Sequence, residues 1–126
     1  MMTKYQATLQ EFYDALKRFE EVLKEEETEF IRDSAIKRFE LVFDISWKVI
    51  KAFLEDRGAT CTSPLGCFKE AYREGILEFD EVWVGMVQTR NKTVHTYDQE
   101  LAEEVYAKLP ETLIAFKKLL DALKKQ

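Results

Sequence analysis

The chain has 126 residues, 46% of them apolar and 34% charged, with a formal net charge of −5. That length carries a hydrophobic core but not a comfortable second one, so residues 1–126 are expected to form a single domain. Four Gly and two Pro fall well below the roughly 12% of average usage, which means few turns and long elements and nearly excludes an all-β fold. The acidic balance excludes a partner held by a wide basic surface, because neutralising phosphate needs a local excess of Lys and Arg; any nucleic-acid site must be small and local.

Tyr5, Leu9, Phe12, Leu16, Phe19 and Leu23 recur at alternating steps of four and three, which predicts a first helix over residues 4–26. Glu25, Glu26, Glu27 and Glu29 oppose the C-terminal end of a helix dipole but suit the first turn of a following helix, with Thr28 as its cap. A second helix is predicted over 29–57, stopped by Gly58. From Phe39 to Leu54 its apolar residues cover more than half the circumference, so it is central or lies in a subunit interface. Lys37, Glu40, Asp44, Lys48, Lys51 and Glu55 form its polar side, where Glu40 and Asp44 read as rungs of an i,i+4 salt-bridge ladder with Lys48 rather than as metal ligands.

Ser63 is the expected cap of a third helix over 64–75, with Pro64 at the first helical position and Gly75 at the end. Asp80 starts a fourth helix through Trp83, Met86 and Val87, which is expected to break near Asn91. Thr96-x-x-Gln99 reads as a capping box for the last helix, which carries Leu101, Val105, Leu109, Leu113, Phe116, Leu120 and Leu123 and should be kinked or split at Pro110. Gly66 and Gly85 interrupt helical segments, and close helix approach is the expected reason. The prediction is an all-α, antiparallel up-down bundle of about five helices.

No apolar run approaches the ~18 residues of a membrane span, and Met1–Gln10 lacks the apolar core of a signal peptide. A cytoplasmic location without a membrane partner is expected. Cys61 and Cys67, with a single His in the chain, cannot supply four ligands for structural zinc within one subunit and are read as free thiols. There is no Gly-rich phosphate loop or dinucleotide fingerprint, so neither a cofactor nor a metal is expected.

One dense polar stretch remains, Arg90-Asn91-Lys92-Thr93-Val94-His95-Thr96-Tyr97, and it holds the chain's only His. On an unbroken helix Arg90 and His95 would lie about 140° apart, so a break between them is needed for convergence. An imidazole titrating near pH ~6.5 can move a proton, and a guanidinium can brace a phosphate. Together they suit metal-free phosphodiester cleavage in RNA. His95 would deprotonate the ribose 2′-OH, while Arg90 and the amides opening the last helix would stabilise the charged phosphorane. Asn91 can orient the imidazole or a phosphate oxygen, and Tyr97 can donate a hydrogen bond or stack on a base. A bland alternative fits the same residues: a surface His, an Arg paired with Asp98 or Glu100, and a capped helix start.

Arg90-Asn91-x3-His95-x-Tyr97 resembles the R-x4-H-x-Y signature of the HEPN superfamily, specifically the HepT-like proteins also called nucleotidyltransferase substrate-binding proteins. Arg38-Phe39-Glu40-Leu41 and Trp47-Lys48 on the second helix, the Ser63-Pro64 start, Trp83, and His95-Thr96-Tyr97-Asp98 are similar to that family as well, over about residues 5–120. The resemblance implies a homodimer with the motif near the two-fold axis and a cognate small nucleotidyltransferase as partner. It further implies a metal-independent endoribonuclease toxin using Arg90 and His95, supported by Asn91 and Tyr97, with the nucleotidyltransferase as an antitoxin that adenylylates Tyr97. A second expectation is a non-catalytic subunit in which the same cleft binds RNA, a nucleotide or the nucleotidyltransferase's substrate. A third is an assembly subunit whose polar cluster only caps helices.

Overall fold

The computed structural model describes residues 1–78 and 81–126. Among the described residues five α-helices follow one another: α1 (Lys4–Leu23), α2 (Glu29–Glu55), α3 (Pro64–Arg73), α4 (Glu81–Lys92) and α5 (Gln99–Lys124), with a 3-10 turn at Thr93–His95 between the last two. The expected start of α4 at Asp80 lies outside the described residues.

Local chemistry explains most boundaries. The Thr28 hydroxyl accepts a hydrogen bond from the Ile31 amide and the Ser63 hydroxyl one from the Gly66 amide, as N-caps should. α1 stops at Leu23, short of the expected residue 26, and leaves Glu25 to Glu27 in the connection before α2. α2 ends at Glu55 rather than 57. Gly58 takes φ +78°, and the Ala59 amide donates to the Leu54 carbonyl at 2.9 Å, a left-handed closure open to Gly at little strain. Gly75 repeats the device at φ +75°.

The side-chain stripes meet in a single hydrophobic cluster. Tyr5 lies 5.8 Å from Phe53 and Phe19 lies 6.2 Å from Phe39, ring centre to ring centre, so α1 and α2 run antiparallel. Phe116 of α5 sits at the centre, 6.2 Å from Phe12, 6.3 Å from Phe19 and Phe39, and 6.0 Å from Trp83. Phe68 of α3 closes the cluster against Trp83 at 4.6 Å. Tilted and edge-on aromatic pairs of this kind add to the burial of their area. The expected antiparallel all-α bundle is thus the observed fold.

Four expectations are corrected. Cys61 and Cys67 are not free thiols: the loop after α2 folds back on the first turn of α3, brings their Cα atoms to 5.0 Å and joins them in a disulfide. α5 is not split at Pro110: it runs unbroken from Gln99 to Lys124, with Leu109, Thr112 and Phe116 on either side of the proline buried in the core. Thr96 does not cap α5; its hydroxyl donates to the Thr93 carbonyl, and Asp98 is the cap, accepting from the Leu101 amide at 3.0 Å. Close helix approach explains neither inner glycine, because a Cβ on Gly66 would meet its own cap hydroxyl at 2.8 Å and one on Gly85 would enter open space.

Candidate functional site

α4 buries Trp83, Met86 and Thr89, so Arg90 emerges at the edge of the buried face and reaches across to α2. Its Nε lies 3.5 Å from Asp44 Oδ1, and its Nη1 lies 3.7 Å from Glu40 Oε2 and donates to Thr93 Oγ1 at 3.0 Å. Thr93 is buried, and its hydroxyl donates back to the Arg90 carbonyl at 2.7 Å. Glu40 and Asp44 are therefore not rungs of a ladder with Lys48. They hold a guanidinium delivered by another helix, and the bland pairing of Arg90 with Asp98 or Glu100 does not occur.

The helix does not break at Asn91. It runs through Lys92 and tightens into the 3-10 turn that ends at His95. His95 is exposed, and its ring meets that of Tyr97 edge-on at 6.1 Å. Tyr97 is 87% exposed. Among the described residues no hydrogen bond or ion pair joins Arg90 to His95, and none ties exposed Asn91 to the imidazole. The structure thus gathers Arg90 with Glu40, Asp44 and Thr93, and His95 with Tyr97, as two neighbouring groups along one short stretch. Lys92 turns away to pair with Glu104 of α5 at 3.1 Å. The amides opening α5 are not all free for an anion, since the Asp98 carboxylate occupies that end.

A shallow groove of about 330 Å³ runs along this edge, lined by Asp33, Ile36, Lys37 and Glu40 of α2 and by Thr96 and Tyr97. Glu40 therefore belongs both to the groove and to the Arg90 contact. A hollow of about 380 Å³ beside Trp83, Glu111 and Lys118 contains no residue of the polar stretch. No group of three or more His, Cys, Asp or Glu among the described residues could hold a metal ion. Among the described residues no helix is long and apolar enough to cross a membrane.

Sequence reading missed Thr93 and gave Glu40 and Asp44 the wrong partners. A hydroxyl three residues after Arg90 was a local signal for the first. Nothing local signalled the second, because Asp44 and Arg90 stand 46 positions apart.

The family described as "Nucleotidyltransferase substrate binding protein like" matches residues 5–125. A Haemophilus influenzae protein named "Probable ribonuclease HepT" is 37% identical over 98 residues, a match spanning 73% of this chain and 66% of that relative. A crystal structure of a Thermus thermophilus protein superposes with a TM-score of 0.82 at 35% identity, covering 89% of this chain and 98% of the other. HI0074 of Haemophilus influenzae, described as revealing the fold of a substrate binding domain of a nucleotidyltransferase, superposes with a TM-score of 0.82 at 27% identity over 92% of this chain and 98% of its own. With a family match over nearly its whole length and a shared five-helix fold, the chain belongs to the nucleotidyltransferase substrate binding protein like family.

Proposed function

We propose that this protein is a metal-independent endoribonuclease that works as the toxin partner of a small antitoxin nucleotidyltransferase in the cytoplasm, with Arg90 and His95 acting in a cleft between two copies of the chain. One observation carries the reading: an exposed imidazole paired with an exposed phenol follows directly on a guanidinium whose orientation is set by three side chains. The ribonuclease name of the Haemophilus influenzae relative supports it.

In this chemistry His95 takes the 2′-OH proton, O2′ attacks the adjacent phosphorus, and the bond to the 5′-oxygen breaks. The leaving oxygen is protonated by an imidazolium or by water, and a 2′,3′-cyclic phosphate remains. Arg90 donates to the non-bridging oxygens as their charge grows. Asn91 and Tyr97 line the approach, and Val94, 65% exposed beside them, is suited to burial against a second subunit. Adenylylation of Tyr97 would place a phosphate and an adenine two residues from His95 and repel substrate phosphate.

The test is cleavage of total RNA and a tRNA pool in EDTA, read as 2′,3′-cyclic phosphate ends. Wild type should cleave and His95→Ala should not. Absence of cleavage by folded protein free of Tyr97 adenylylation refutes the reading. It would favour a non-catalytic binding subunit, to which the two carboxylates around Arg90 and the family's description also lend support.

A further inference from the structure

Resting on the ribonuclease reading, we infer that Glu40 and Asp44 of α2, together with Thr93, are positioning residues that aim Arg90. A guanidinium carries five N–H donors in a flat fork. Here Asp44 takes Nε, while Glu40 and Thr93 share Nη1. Among the described residues no hydrogen bond from Nη2 is found, so the Nε–Nη1 edge is the anchored one.

The contact distances bear this out. The 3.0 Å bond from Nη1 to Thr93 is the tightest, the Nε bond to Asp44 is long at 3.5 Å, and Glu40 at 3.7 Å adds an ion pair without a hydrogen bond. Thr93 also donates to the Arg90 carbonyl, which ties the side chain to the turn of backbone that carries His95. α2 thereby sets the guanidinium relative to the imidazole even though the two do not touch. An unanchored arginine at this place would have to freeze several rotatable bonds with each substrate encounter, and loss of aim of that kind falls on the chemical step. The two carboxylates have a second consequence: with Glu40 shared between Arg90 and Lys37, they offset the positive charge these cations offer, which weakens the hold on a polyanion.

These two effects make the test specific. The double variant Glu40→Gln, Asp44→Asn keeps shape and removes both charges at side chains 21% and 44% exposed. In the EDTA cleavage assay its kcat should fall about tenfold while KM stays level or drops. Thr93→Val should lose kcat likewise, and Thr93→Ser should restore it. An unchanged kcat, a loss confined to KM, or a rise in kcat/KM overturns the inference, the last by making the carboxylates a brake. If wild type does not cleave at all, the ribonuclease reading fails, and the aim of Arg90 is then read from its ¹⁵Nε–Hε resonance. A sharp, slowly exchanging signal in wild type that is lost in the double variant sustains the positioning role; the same signal in both overturns it.

Discussion

Phe116→Ala is the perturbation that most directly tests how the fold holds the polar stretch in place. Phe116 is fully buried and touches aromatic rings from α1, α2 and α4, including Trp83, two turns before Arg90 on the same helix. Truncation removes its transfer free energy, leaves a cavity the surrounding rings cannot fill, and deletes four ring contacts, together about 3–5 kcal/mol. A domain of this size has about 6–19 kcal/mol in all, so the loss is a large share. At roughly 4 °C per kcal/mol for this length, the thermal midpoint should drop by about 12–20 °C. Urea unfolding followed by circular dichroism gives the free energy, and Trp emission of the folded variant should shift to the red as Trp83 loses its cover. Phe30→Ala, at a residue 84% exposed, is the control and should stay within about 0.5 kcal/mol. A Phe116→Ala loss below about 1.5 kcal/mol, with an unchanged urea slope and unchanged emission, would refute the central placement of this ring.

Three further outcomes follow from other parts of the structure. Reduction of the Cys61–Cys67 disulfide, whose sequence separation is 6, should lower stability by about 2 kcal/mol by the loop-closure relation; finding two titratable thiols in the native, unreduced protein would contradict the bond. Asp98→Ala removes the cap of α5 and should cost about 1 kcal/mol in urea unfolding, against almost nothing for Thr96→Ala as a cap. Burial pushes the Tyr5 phenol above its ordinary value, with Arg57 opposing and Asp56 adding to the shift. A phenol with a raised folded-state pKa contributes stability that is whole below the unfolded value near 10 and is lost as pH rises through the folded one. The alkaline fall in melting temperature should therefore be shallower in Tyr5→Phe, and an identical slope in both proteins would exclude Tyr5 as its source.

By itself the sequence determined what depends on neighbours within a turn or two. The spacing of apolar residues places α1 and α5 and their buried faces, Thr28 and Ser63 reach amides three residues on, and Gly58 and Gly75 stop the chain where left-handed backbone is required. Arg90, His95 and Tyr97 also stood out locally, as the one dense run of groups able to handle a proton and a phosphate. The tertiary structure decided which partners those groups meet. Glu40 and Asp44 carry the same charges whether they face Lys48 or Arg90, and only the packing of α2 beside α4 assigns them to Arg90. The same holds for Cys61 and Cys67, whose pairing depends on how the loop turns at Ser63, and for the cap of α5, where Thr96 and Asp98 compete within three residues and the 3-10 turn after Lys92 claims the hydroxyl. Periodicity specifies a face but not the register of one helix against another, and side-chain contacts between helices depend on that register.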